Sequence, residues 1–207
     1  MDIQFYGANC VVLAVKGTRI VIDDNLADLG GKSVTKAGDV ALFTGVHGVP
    51  GADVKIDIDM PGEYEVADVY NTGIPARAHL DEGGQNATMY TITAADTKVL
   101  VTGHIYPELS DKQLEAIGMV DVMLVPVGGA GYTLDPIGAL KMVKAVEPKL
   151  VIPTHYDDKA LKFPVPQTDL TTALHDLGME PRETVTKLRV KPTELSDATA
   201  LVVLEKA

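Results

Sequence analysis

The chain has one cysteine, Cys10, so no intrachain disulfide can form and the sequence does not read as a stapled secreted domain. No apolar run approaches the roughly 20 residues a membrane helix needs. The opening Met1-Asp2-Ile3-Gln4-Phe5 carries neither a basic stretch nor a long apolar one, which makes a cytoplasmic protein the expectation. Positive charge is scarce: 18 Lys and Arg stand against 29 Asp and Glu, a formal net charge of -11. Nucleic-acid backbones and anionic membranes are bound by basic surfaces, so neither is an expected partner. A small-molecule substrate or ligand remains, and a homo-oligomer is compatible with an acidic chain of this size. No linker is long or polar enough to divide the sequence, so residues 1–207 are expected to form one domain, with halves at roughly 1–87 and 88–207. No serine or cysteine sits in a nucleophile pattern. The glycine-rich Gly128-Gly129-Ala130-Gly131 lacks the Gly-Lys-Ser/Thr ending of a phosphate loop and reads as a turn.

What is present is a chain of short apolar strands. Val11–Val15 and Arg19–Asp23 flank Lys16-Gly17-Thr18 as a hairpin, and Asp39–Thr44 (DVALFT) reads as a buried strand. Glu63–Val66 and Asp68–Asn71 follow the Pro61-Gly62 break. Met89–Thr93 and Lys98–Thr102 then form a second hairpin, and Asp121–Pro126 (DVMLVP) echoes DVALFT, which suggests a weak internal duplication. Helices gather in the second half. Ser110 with Gln113 forms a capping box ahead of Gly118. Asp135-Pro136 opens a helix to about Val146, with Ile137, Leu140, Val143 and Val146 as its apolar positions. With the strand Lys149–Pro153 this makes a βαβ unit, hence a partly parallel sheet. A helix near Asp169–Leu177 ends at Gly178, Thr184–Val190 and Ala200–Leu204 read as late strands, and Asp157–Gln167 reads as loop.

Of the five histidines, four follow strands closely: His47 after DVALFT, His79 past Asp68–Asn71, His104 after KVLVT and His155 after KLVIP. Ligands of open α/β sheets collect at the carboxyl ends of strands, and neutral imidazole is a good ligand for zinc and related ions. Three protein ligands with one open position is the catalytic zinc pattern. His175 lies in a helix and reads as a surface residue.

Ile22-Asp23-Asp24, DVALFTGVHGVP, MPGEYEV, TGIP, VPVGG-AGYTLD and VIPTHYDD, in this order, resemble a branch of the metallo-β-lactamase superfamily described as Zn-dependent hydrolases related to sugar-lactone hydrolases. The resemblance covers roughly residues 1–158. It implies an α/β fold, a four-layer αβ/βα sandwich with two mixed sheets from an internal duplication. It also implies a metal-dependent hydrolase, but the signature departs from the family's pattern. Where the family has Thr-His-x-His-x-Asp-His, this chain has Thr44-Gly45-Val46-His47-Gly48-Val49-Pro50. By the resemblance, His79 matches the next family histidine, His104 replaces the bridging aspartate, and His155 is the last ligand. One metal position is reduced to His155, while the other keeps His47 and His79 and gains His104. One zinc ion at most, or none, is the expectation. Val49 stands where the family's aspartate grips the hydrolytic water, so hydrolysis is expected to be impaired. Asp23 and Asp24 are candidates for supporting the ligands from behind. Two functions stay open: a mononuclear hydrolase, and a catalytically inactive protein that keeps the fold as a binding or interaction module.

Overall fold

A computed structural model describes residues 1–45, 50, 52–81 and 83–207. The first sheet begins with strands β1 (Asp2–Gly7), β2 (Cys10–Val15), β3 (Thr18–Ile22), β4 (Val40–Leu42) and β5 (Ile56–Ile58). β6 (Gly62–Val66), β7 (Val69–Ala76), β8 (Ala87–Ala94) and β9 (Thr97–Val101) open the second. Then come α1 (Asp111–Ile117), β10 (Val122–Pro126), α2 (Pro136–Val146), β11 (Leu150–Thr154), α3 (Leu170–Leu177), β12 (Pro181–Val185), β13 (Leu188–Arg189) and β14 (Ala200–Leu204). The six-stranded sheet has the order β13-β1-β2-β3-β4-β5, and the eight-stranded sheet β12-β14-β11-β10-β9-β8-β7-β6. Both are mixed. Hairpins give their antiparallel parts, and crossovers give parallel β3–β4–β5 and β9–β10–β11.

Alternation assigns the faces. Val11, Leu13, Ile20 and Ile22 point between the sheets and meet Val99, Val101, Val122 and Leu124 there. The opposite face of the second sheet, with Leu100, Met123, Val125 and Val151, is covered by Ala139, Met142, Val143, Ala173 and Leu177 from the helices. On the outside of the first sheet, Cys10, Val12 and Val21 pack against Leu26 and Leu161 with Leu29, Val34 and Phe163. That fourth layer is irregular chain rather than helix among the described residues.

The repeated sequence pattern corresponds to a repeated register. Ile20 pairs with Val40 in the first sheet and Val99 with Val122 in the second. The residue after each inner strand donates its backbone N–H to the partner strand, Asp23 to Leu42 at 2.9 Å and Thr102 to Leu124 at 3.2 Å. Both hairpins turn on two residues of positive φ, Lys16-Gly17 and Ala95-Asp96. The sheet change falls between β5 and β6, near residue 60, so a division at 87/88 cuts one sheet rather than separating two.

Three local expectations are corrected. The Thr184–Val190 strand is broken: β12 joins the second sheet and β13 the first. The buried face of α2 is Pro136, Gly138, Ala139, Met142 and Val143, whereas Ile137 is 61% exposed, because at about 100° per residue it falls on the opposite side of the helix. β1 and β5 add strands to the first sheet beyond those read from the sequence.

Candidate functional site

The carboxyl ends of β3, β4, β9 and β11 open toward one side of the molecule, where the two sheets meet. A cavity of about 290 Å³ lies there, lined among the described residues by Asn9, Asp23, Thr44, His79, Asp81, His104 and Tyr132, together with apolar neighbours. The β1–β2 turn braces this end: the His155 backbone N–H donates to the Ala8 carbonyl at 2.8 Å, and the Thr154 hydroxyl donates to Asn9 Oδ1 at 2.9 Å.

His104 and His155 come together. Their ring centroids are 4.5 Å apart and the rings meet edge to face. Tyr132 stands 5.1 Å from the His104 ring, also edge to face, carried there by the Gly129–Leu134 turn that ends in the Asp135 cap of α2. Burial holds both imidazoles neutral. It pushes His104 down to about 3, and the neighbouring His155 and His79 act in the same direction. His155 goes down to about 4 by burial, opposed by its bond to Gln167. His155 adopts a φ of 55°, a left-handed conformation that a buried non-glycine residue takes only when its surroundings impose it.

His79 reaches the same cavity from the loop after β7. Its backbone N–H donates to the His104 carbonyl at 2.8 Å, and its Nδ1 lies 3.3 Å from the Ile105 carbonyl. A carbonyl only accepts, so Nδ1 is the nitrogen that donates here, and in the neutral tautomer Nε2 keeps its lone pair. His104 Nδ1 is buried without a hydrogen-bond partner among the described residues. His47 lies outside the described residues. His175 is exposed on α3, apart from this cluster.

The two aspartates part company. Asp23 is buried at the end of β3 and lines the cavity; Thr44 donates to it twice, from its backbone N–H at 2.7 Å and its hydroxyl at 2.6 Å. Burial raises Asp23 to about 6 against the pull of those two bonds. Asp24 turns away and organises the following loop, accepting from Ser33, Val34 and Thr35 through Oδ2. Gly103 completes the junction. At φ +62°, a Cβ there would lie 2.2 Å from the Thr44 hydroxyl, so only glycine lets the end of β9 approach β4 and present His104.

The sequence matches the Beta-lactamase superfamily domain over residues 2–155. The chain belongs to the metallo-β-lactamase superfamily. A crystal structure from Thermotoga maritima, described as a candidate Zn-dependent hydrolase of this superfamily, matches with a TM-score of 0.75 and 27% identity, over 99% of this chain and 98% of that one. A metal-dependent hydrolase of Salinibacter ruber is 41% identical over 81 residues, 39% of this chain and 34% of the relative. One of Thermococcus kodakarensis is 30% identical over 142 residues, 68% of this chain and 57% of the relative. The match spans less than two thirds of either relative's length.

The residues at this end of the molecule can be compared with what a divalent ion requires. Among the described residues no three imidazole, thiolate or carboxylate groups converge into a metal-sized cluster. By the resemblance, a two-ion centre would draw on a carboxylate and a histidine at the positions of Val49 and Pro50. For a single ion the chemistry is suited: buried imidazoles in the neutral, ligating form, a free Nε2 on His79, and a nitrogen on His104 unpartnered among the described residues.

Several residues at the site were not singled out from sequence. Tyr132 sits inside the YTLD segment that carries the family resemblance, a signal that was available. Asp81, which lines the cavity with its buried Oδ2 unpartnered among the described residues, lies two residues after His79. Gln167 and Asn9 had no local signal, since tertiary packing alone brings them to the histidines. No helix among the described residues is long and apolar enough to cross a membrane.

Proposed function

We propose that the chain is a hydrolase that uses a single divalent ion, zinc in the first instance, bound through imidazole. His104 and His155 are the donor pair of this proposal, and His79, from the same cavity, and His47, which lies outside the described residues, are the residues proposed to complete it. The observation that carries this reading is the pair of buried, neutral imidazoles 4.5 Å apart beside the cavity. The relatives described as metal-dependent hydrolases support it.

When bound, the ion supplies a nucleophile at neutral pH and polarises the scissile bond. The protein's own groups orient and exclude. The Ile105 carbonyl fixes the His79 ring, and Gly103 and Thr44 fix the backbone from which His104 projects. Asp81 is the group we assign to take the proton of the attacking water, in place of the carboxylate lost at Val49, since both Asp23 oxygens are occupied by Thr44. Asp23 and Asp81 are the charged side chains among the described lining residues; Arg77, which donates to the Asp81 carbonyl at 2.6 Å, is stacked on the Tyr106 ring and is not among them. The substrate is therefore a small uncharged ester or amide rather than a phosphorylated one.

The test is turnover of p-nitrophenyl acetate and of p-nitrophenyl phosphate by zinc-supplied protein. The acetate is expected to be cleaved and the phosphate left intact. Asp81→Asn should lower kcat by about 10²-fold or more, and His104→Ala should abolish turnover.

Gly45, Val49 and Pro50, three non-ligating residues in one short segment, favour a second reading, a binding module without catalysis. A wild-type rate no higher than that of His104→Ala would establish it.

A further inference from the structure

We infer that Gln167 is a positioning residue that fixes the tautomer of His155 and so aims its Nε2 into the site. Gln167 Nε2 donates to the Val165 carbonyl at 3.0 Å and the Pro166 carbonyl at 3.4 Å, which orients the group so that Oε1 faces the other way. That oxygen lies 3.1 Å from His155 Nδ1. An amide oxygen only accepts, so Nδ1 holds the proton and Nε2 is left as a bare lone pair. His155 is buried away from water, so this bond is what distinguishes its two ring nitrogens.

The surrounding chain is built to keep Gln167 in place. The Thr168 N–H donates to the Gly128 carbonyl at 2.8 Å, and the Asp157 N–H donates to the Thr168 carbonyl at 2.9 Å. A Cβ on Gly128 would lie 2.1 Å from both Gln167 Oε1 and the His155 carbonyl, so glycine at 128 is what admits the contact. The loop after β11, beyond the region of family resemblance, thereby acquires a role at the site. The inference rests on the proposed imidazole centre, but its first readout needs no metal.

The test compares wild type with Gln167→Glu and Gln167→Met, metal-free and above pH 7, by the ¹⁵N shifts of the His155 ring. Glu keeps an acceptor for Nδ1–H and loses the donation to the loop carbonyls; Met loses both at similar volume. Wild type and Gln167→Glu should show a protonated Nδ1 and a pyridine-like Nε2, while Gln167→Met should show the two averaged. Zinc affinity, measured by competition with a chelating dye, should fall about 10- to 100-fold in Gln167→Met and less in Gln167→Glu. A wild-type Nε2–H tautomer, or identical ring shifts in the two variants, overturns the inference. The expected tautomers with no zinc bound by wild type leave the positioning role standing and refute the metal reading instead.

Discussion

Asp23 shows how a single buried group sets a pH dependence. Its carboxyl titrates near 6 in the folded chain, against 3.8 for the unperturbed group. Below about pH 4 both states hold the proton and burial costs nothing. As pH rises from there to 6 the unfolded state ionises first, so stability falls, and above 6 the loss is constant. Two pH units correspond to roughly 3 kcal/mol as an upper figure. Asparagine does not titrate and can keep both contacts with Thr44, whose hydroxyl then accepts instead of donating. Asp23→Asn should therefore match wild type near pH 4 and be more stable by up to that amount at pH 7, both measured metal-free by denaturant unfolding. A variant less stable at pH 7 than at pH 4, relative to wild type, contradicts this account of Asp23. At the same scale, the sequence made His104 and His155 legible because each directly follows an apolar strand. It could not show that His155 takes a left-handed backbone or that Gln167 meets it twelve residues on.

Among the elements, hairpins and capped helices were the most legible, because their signals are local. Lys16-Gly17 permits the left-handed turn, and Ser110 and Gln113 make the reciprocal bonds of a capping box. β5 is three residues long and β13 two, too short for any period to register, and β12 is an almost fully exposed edge with no apolar alternation. α2 gives the sharpest contrast between pattern and packing. Its helical spacing includes Ile137, yet that residue is exposed while Met142 is buried. Met142→Ala should cost about 2–5 kcal/mol, and Ile137→Ala should stay within about 0.5 kcal/mol of wild type. Equal losses in chemical denaturation would mean that α2 is rotated from the orientation described.

For the whole molecule, the duplicated pattern and the family resemblance specified two mixed sheets. The irregular outer layer on the first sheet was not legible, because segments 24–38 and 157–163 have no periodicity of their own. The two neutral imidazoles make the folded chain sensitive to acid. His104 and His155 take protons in the unfolded state near pH 6.5, but in the folded state only near 3 and 4. The unfolded state thus binds more protons between these values, and stability is lost as pH falls below 6.5. Each proton is worth about 1.4 kcal/mol per pH unit, and two imidazoles outweigh the opposing single carboxyl of Asp23. Metal-free protein should lose stability steadily from pH 6.5 to 4, and His104→Ala should flatten that slope by about one proton. An unchanged slope in the variant would place His104 in a solvated setting.

The proposed centre holds one ion through imidazole, where the resemblance implies two. Its most direct test is the metal content of purified, zinc-supplied protein by elemental analysis, with His104→Ala alongside. The account predicts about one equivalent of zinc per chain in the wild type and a loss of most of it in the variant. Two equivalents, none, or one that survives His104→Ala would contradict it.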